Sequence, residues 1–453
     1  MTEKELIAKI DSKRGAEIFT ELYGERETDA ARKRYKSLIA NMLKSGQDGF
    51  PAADSCDVAG NLRVFSAPGR TELGGNHTDH NRGKVLAASI QLDNVAIVQA
   101  RDDNTVFFRS TGHPDVRVRL VDSASTPDLK PKPEEEGATE SLVRGIAAEF
   151  KRRGYAVGGF SANADSAVFA GSGLSSSAAI EVLLGRIFDS LYGEGKLSPL
   201  EIAQIGQIAE NTYFGKPCGL MDQTACAAGG AIIIDFADAA SPLVKQVNFD
   251  LATLGYALCV VSTGGSHVDL TADYASIPVE MKGVAAFFGK SVLRELDKET
   301  VLSRASEIRK TLGDRALLRA IHYFDENDRV DAMTAALVEM DGAQAAAKPQ
   351  ALGKFLDLVN ESGDSSWELL QNVYSRPQEQ GVSAALALSK DFLRRTKLKG
   401  AARVHGGGFA GTIQAYLPLD AVDAYRAAIE PVFGAGSVTV LRIRSLGAIE
   451  LVF

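Results

Sequence analysis

Val168-Phe-Ala-Gly-Ser-Gly-Leu-Ser-Ser-Ser-Ala-Ala-Ile-Glu-Val182 is the stretch on which the reading of this chain turns. Ahead of it, Gly159-Phe-Ser-Ala-Asn-Ala-Asp165 alternates as a strand does. Behind it, Ala178 to Leu191 carries apolar residues at helical spacing. Two glycines and a run of serines therefore fall in a strand-to-helix turn. Gly171 and Gly173 allow a sharp bend and a close approach of backbone to ligand. The first helical turn offers N–H groups with no intrahelical partner, and the positive end of the helix dipole points the same way. Ser172, Leu174, Ser175, Ser176 and Ser177 complete the turn, the serines adding hydroxyls. A serine-capped helix would need only part of this string. The whole of it describes a cradle for a phosphate group.

Outward from that turn, the bulk properties narrow the choices. A chain of 453 residues is long enough for two domains or two lobes. Its 45% hydrophobic and 24% charged residues are ordinary for a globular protein, and a net charge of −8 argues against a nucleic-acid surface. No apolar run reaches membrane-spanning length and no apolar leader opens the chain, so a cytoplasmic protein is expected. Cys56, Cys218, Cys226 and Cys259 are scattered without zinc or redox spacing and read as small buried residues.

Residues 1–50 read as helical, with Ile18, Phe19, Leu22 and Tyr23 on one apolar face and Tyr35, Leu38, Ile39 and Met42 on another. Leu62 to Ala67 reads as a strand, and a second strand starts near Val85. Between them lies Pro68-Gly-Arg-Thr-Glu-Leu-Gly-Gly-Asn-His-Thr-Asp-His-Asn-Arg-Gly-Lys84, a glycine-rich polar loop suited to binding. Glu210 lies near the end of a helix over Pro199 to Tyr213, and Asp222 follows in a glycine-punctuated turn. Leu254 to Ser262 reads as an internal strand. The region from Pro278 to Leu393 is largely helical, and strand–turn–strand returns over Ala401 to Leu417. The fold class is α+β. Gly406-Gly-Gly-Phe-Ala-Gly411 matches a dinucleotide fingerprint, but it leads into a strand rather than a helix and is set aside. His77-Thr-Asp-His80 lacks a further ligand cluster for zinc.

Three glycine segments, Pro68 to Gly83, Gly171 to Ala178 and Val404 to Gly411, together resemble the GHMP small-molecule kinases and, within them, the galactokinases. The likeness spans residues 60–453. It implies a GHMP-kinase-like two-lobed fold with mixed β-sheets flanked by helices. A helical extension over 1–60 would precede an N-terminal kinase domain over 61–225 and a C-terminal one over 226–453. It implies an ATP- and Mg2+-dependent kinase that phosphorylates the C1 hydroxyl of galactose. The expected partners are a small-molecule sugar and ATP, with no nucleic acid and no membrane, in a monomer or a dimer. Carried over residue by residue, Asp222 is the catalytic acid and Arg70 the arginine that stabilises charge beside it. Gly171 to Ser177 hold the nucleotide phosphates, and Ser177 with Glu210 form the magnesium pair. Asn76, His77, Asp79 and Tyr274 occupy the sugar-contact positions. Physics points the same way, because phosphoryl transfer needs positioning and charge neutralisation more than covalent help.

One departure stands out. The family signature has an acid where this chain has Asn76, and that acid contacts the sugar hydroxyl remote from C1. An amide carries no charge and supplies an NH2 donor, so galacturonate or another C6-modified galactose is the alternative substrate. Thr71-Glu-Leu-Gly-Gly, where galactokinases carry a more apolar run, is a second local change. A non-catalytic sugar and ATP sensor of galactokinase type is the other alternative. The complete serine loop favours the enzyme.

Overall fold

The computed structural model describes residues 1–44, 61–121, 128–168, 173–264, 270–344 and 347–453. Three helices, α1 (Glu3–Asp11), α2 (Lys13–Tyr23) and α3 (Thr28–Lys44), open the chain. The capping box of Thr2 and Glu5 starts α1, and the Ser12 hydroxyl caps α2. Then come β1 (Arg63–Gly74), β2 (Lys84–Arg101), β3 (Thr105–Ser110), β4 (Val116–Arg119), α4 (Thr139–Arg152) and β5 (Gly159–Ser166). They are followed by α5 (Ser176–Tyr192), α6 (Pro199–Ala209), α7 (Met221–Ala228), β6 (Ala231–Asp235), β7 (Leu243–Val247) and β8 (Tyr256–Ser262). A helical tract runs through α8 (Thr271–Phe287), α9 (Lys298–Ser303), α10 (Ala305–Leu312), α11 (Asp314–Gly342), α12 (Lys348–Ser365) and α13 (Gly381–Thr396). The last elements are β9 (Ala401–His405), β10 (Thr412–Pro418), α14 (Val422–Phe433), β11 (Val438–Leu441) and β12 (Ile449–Glu450).

Two sheets result. The larger has the order β12-β1-β2-β5-β3-β4, with β6 on β2 and β7 on β6; the smaller has the order β11-β8-β10-β9. Strand β2 is long enough to serve two neighbours, pairing with β6 through Lys84–Ala88 and with β5 through Asn94–Arg101. The main core lies between the larger sheet and α4, α5, α6 and α7, with Val98, Phe160, Val182 and Phe188 fully buried. The smaller sheet packs on α13 and α14 through Val261, Leu386, Ile413 and Tyr425. The opening helices cover Val64, Val95 and Ile97. At about 25 cal/mol per Å2, burying each such side chain contributes roughly 1.5–3 kcal/mol.

The differences from the sequence-based expectation have local causes. The loop expected from Pro68 is strand as far as Gly74. Its partner β2 stays in register, with Thr71 opposite Ala88 and Glu72 opposite Ala87. Register shifts between Pro68 and Arg70 and between Glu72 and Gly74 bend this extension, and such bulges re-aim the side chains beside them. β7 was not expected, because its largely exposed residues leave no alternation to read. The last strand is the two-residue β12. Gly406 to Gly411 joins β9 to β10 and opens no helix. Among the described residues no helix is long and apolar enough to cross a membrane. Cys226 and Cys259 are buried and Cys218 is half-buried; Cys56 lies outside the described residues.

Candidate active site

Asp222 is the second residue of α7, and Arg70 stands on the bulged end of β1. Arg70 Nε and Nη2 donate to the two oxygens of Asp222 at 2.8 Å each, a bidentate pair. Arg70 Nη1 donates to the carbonyl of Gly173, and its backbone N–H donates to Leu174 O at 3.1 Å. The Ser175 hydroxyl donates to Asp222 Oδ2. Burial works to raise the Asp222 carboxyl. The charge and hydrogen bonds of Arg70, with the Ser175 hydroxyl, outweigh it and hold the group below the usual aspartate value. Asp222 is therefore an ionised acceptor at neutral pH, beside the expected phosphate turn.

That turn is described from Gly173 onward; Gly171 and Ser172 lie outside the described residues. Gly173 has φ +70 and Ser175 has φ +59, so the backbone turns through left-handed conformations before α5 begins at Ser176. Leu174 is buried and anchors the turn, while Ser175, Ser176 and Ser177 are half-buried at the helix start.

Glu210 begins a five-residue π-helical turn at the end of α6, a distortion frequent at functional sites. It accepts from Lys216 Nζ at 3.1 Å and from Gln223 Nε2 at 3.0 Å. The same Gln223 nitrogen donates to Glu181 Oε2 at 2.9 Å. Glu181 lies four residues after Ser177 on α5, hence on the same face one turn along. Burial, reinforced by the nearby Glu210 charge, pushes the Glu181 carboxyl well up. Glu181 Oε1 and Gln223 Oε1 are buried with no hydrogen-bond partner. The unpartnered Gln223 amide oxygen beside the Glu210 carboxylate fits a hard, oxygen-seeking cation. The residues of this corner thus suit magnesium.

Of the residues expected to contact sugar, Asn76, His77 and Tyr274 meet the turn from Gly406 to Gly411. His77 Nε2 lies 2.9 Å from Gly407 O, and its ring meets Tyr274 edge-on at 4.9 Å. Since Gly407 O can only accept, Nε2 carries the proton. Burial, with a smaller contribution from the His80 charge, lowers the His77 pKa to about 3, so the ring is neutral. The Tyr274 ring lies so close to Gly407 that a Cβ there would sit 1.7 Å from its Cε2. Asp79 reaches the Asp222 segment, and a Cβ at Gly219 would lie 2.1 Å from Asp79 Oδ2. Asn76 is differently placed. It is 1% exposed, and Nδ2 donates to Gly406 O at 2.7 Å and to Glu72 Oε1 at 3.1 Å, while Oδ1 accepts from Asn372 at 2.8 Å. Both its polar atoms are engaged by protein.

Sequence reasoning passed over Glu72, Glu181, Gln223, Asn372 and Arg403. Glu72 accepts from Arg403 Nη2 at 2.6 Å, with both side chains buried. Burial drives the Glu72 carboxyl up against the opposing pull of Arg403 and Arg70, to about 7. The odd acid in Thr71-Glu-Leu was a visible signal for Glu72. Asn372 belongs to no motif and gave none.

Comparison with known proteins places these segments in context. The description "GHMP kinases N terminal domain" matches residues 141–230, and "Galactokinase galactose-binding signature" matches residues 57–100. A galactokinase of Streptomyces coelicolor is 31% identical over 390 residues, covering 84% of this chain and 91% of its own. One from Glaesserella parasuis is 31% identical over 367 residues, covering 80% and 86%. Among solved structures, Lactococcus lactis galactokinase complexed with galactose shares the fold at a TM-score of 0.71 and 24% identity, covering 96% of this chain and 98% of that one. Methanococcus jannaschii mevalonate kinase shares it more distantly, at a TM-score of 0.56 and 13% identity over 85% of this chain and 99% of that one.

Proposed function

The chain belongs to the galactokinase family, and on that footing we infer that it transfers the γ-phosphoryl group of ATP to the anomeric C1 hydroxyl of galactose. The products are galactose 1-phosphate and ADP. The observation that carries the chemistry is the Arg70–Asp222 pair beside Gly173 to Ser177. A carboxylate held ionised by a guanidinium accepts a hydrogen bond from the attacking hydroxyl and orients it, or takes its proton as the new P–O bond forms. The guanidinium steadies charge on the transferring group, and the N–H groups opening α5 receive the phosphate oxygens. Magnesium, held by Ser177 and Glu210, would supply charge neutralisation on the phosphates. Hydrogen bonds from Lys216 and Gln223 fix the Glu210 carboxylate, which supports that reading. We propose Asp79, His77 and Tyr274 as the sugar contacts. Asn76 supports them from behind, since its amide is held by Glu72, Gly406 and Asn372. We also propose that residues 61–225 supply the phosphate turn and the reacting pair, that 226–453 supply the glycine turn and Tyr274, and that the enzyme works in the cytoplasm.

The test is direct. Purified protein is incubated with ATP, magnesium and a panel of hexoses and uronic acids, and sugar 1-phosphate and ADP are measured. Galactose is expected to give the highest kcat/KM. Absence of turnover on every sugar, with sugar and ATP still bound, would replace the enzyme with a sensor.

A further inference from the structure

Asn372 lies beyond the end of α12, in a stretch without a recognisable motif, yet it is 0% exposed at the centre of the site. Its Nδ2 donates to Asn76 Oδ1 at 2.8 Å and to Gly407 O at 3.1 Å. Its own carbonyl accepts from Phe409 N–H at 2.5 Å. The fit to the turn is close, since a Cβ at Gly408 would lie 2.1 Å from Asn372 O. One residue therefore grips the sugar signature with its side chain and the glycine turn with both side chain and backbone.

The glycine turn has a second neighbour. A Cβ on Gly406 would meet Gly173 O at 3.6 Å, and one on Gly173 would meet His405 Nδ1 and Thr412 Oγ1 at 3.3 Å each. The turn thus stands directly behind Gly173, where the proposed phosphate turn leads into α5. On its other side Gly407 carries His77 and Tyr274, the proposed sugar contacts. Anything that fixes His77 and Tyr274 fixes Gly407, and through it the support behind Gly173.

Asn372 is not placed there for stability alone. Its Oδ1 is buried without a hydrogen-bond partner, a cost that natural proteins accept chiefly at functional positions. We propose that Asn372 is a positioning residue that locks the sugar signature to the glycine turn, so that galactose binding tightens ATP binding. The coupling needs no large motion. A turn already ordered by sugar pays less ordering entropy when the phosphates arrive, and by linkage ATP must tighten galactose by the same factor.

The proposal rests on galactose and ATP as the substrates, and the test separates the two claims. Affinity for the non-hydrolysable β,γ-imido analogue of ATP is measured by calorimetry with and without saturating galactose, alongside galactose kinase activity. The wild-type protein is expected to bind the analogue about 5-fold or more tightly with galactose present. Asn372→Ala is expected to bring that ratio close to one, with affinity in the absence of sugar little changed. Asn372→Ser, which keeps one donor in a smaller side chain, is expected to retain part of it. A merely structural role would lower the melting temperature and leave the ratio intact. A wild-type ratio of one, or an unchanged ratio in either variant, overturns the proposal even when galactose turnover is normal. Absence of galactose turnover in wild type would instead strike the functional reading.

Discussion

Asp222 makes three side-chain hydrogen bonds within the site, to Arg70 twice and to Ser175. Asp222→Asn keeps the size and loses the charge, so turnover should fall by roughly 10^2–10^4-fold. Binding of the ATP analogue should fall far less than turnover, because an amide oxygen can still accept the Ser175 hydroxyl that ties α7 to the proposed phosphate turn. Near-normal turnover in steady-state assays would remove Asp222 from the chemistry. Asn76 makes a different kind of prediction. Asn76→Asp sets a second carboxylate against Glu72 and loses the donor to Gly406 O. The Glu72 carboxyl, raised to about 7 by burial against the pull of Arg403 and Arg70, is ionised at pH 8 and protonated at pH 5. The stability lost in urea unfolding should be about 2 kcal/mol or more at pH 8 and smaller at pH 5. An equal loss at both values would mean that residue 76 does not face Glu72.

At the scale of elements, α5 and the end of α6 form the proposed magnesium corner. Ser177 stands in the first turn of α5, Glu181 follows one turn later, and Gln223 of α7 links Glu181 to Glu210. Ser177→Ala should raise the magnesium concentration needed for half-maximal rate and lower turnover together, each by about 10-fold or more. An unchanged magnesium titration would move the ligand role to another hydroxyl. Strand β1 matters to the same corner, because its bulges aim Arg70 toward α7 and set Glu72 against β9.

Across the whole molecule, buried and half-buried charge pairs join segments far apart in sequence. Arg34 of α3 donates to Asp93 Oδ1 at 2.7 Å and to Asp165 Oδ2 at 2.6 Å, and Asp93 also receives Arg444 at 3.0 Å. This knot fastens the opening helices to the larger sheet and to the C-terminal segment. Arg34→Met should cost roughly 3 kcal/mol in urea unfolding, since it strips one cation from a fully buried acid. Glu326 of α11 accepts from the backbone N–H of Gly75 at 3.0 Å, from Ser362 at 2.6 Å and from Arg329. Burial opposes ionisation, but the charges of His322, Arg329 and Arg403 bring its pKa down to about 2 from the model-compound 4.5. Because the folded value is depressed, the contribution is present above pH 4.5 and lost as pH falls toward 2. That contribution is fullest near neutral pH. Comparing Glu326→Gln with wild type by denaturant unfolding should give a large gap at pH 7 that narrows at pH 3; a constant gap would refute the linkage.

The sequence by itself determined what short-range physics can write. The half-buried serines opening α5 follow from a strand over Gly159 to Asp165, a glycine turn and a helical repeat that begins at Ala178. The turn between β9 and β10 follows from strand-like flanks on either side of its glycines. Arg70, Asp222, Ser177 and Glu210, the residues proposed to carry the chemistry, could be picked out because each sits in such a segment or in a family motif. The partners of those segments were decided only by the tertiary structure. Asn76 meets Gly406 and Asn372 across 330 and 296 residues, and Glu72 meets Arg403 across 331. No local pattern encodes contacts at that separation. An amide in a glycine-rich loop reads as free to bind a ligand until the fold brings up the carboxylate, carbonyl and second amide that engage it. β7 went unread for the related reason that an exposed edge strand leaves no periodic burial for the sequence to record.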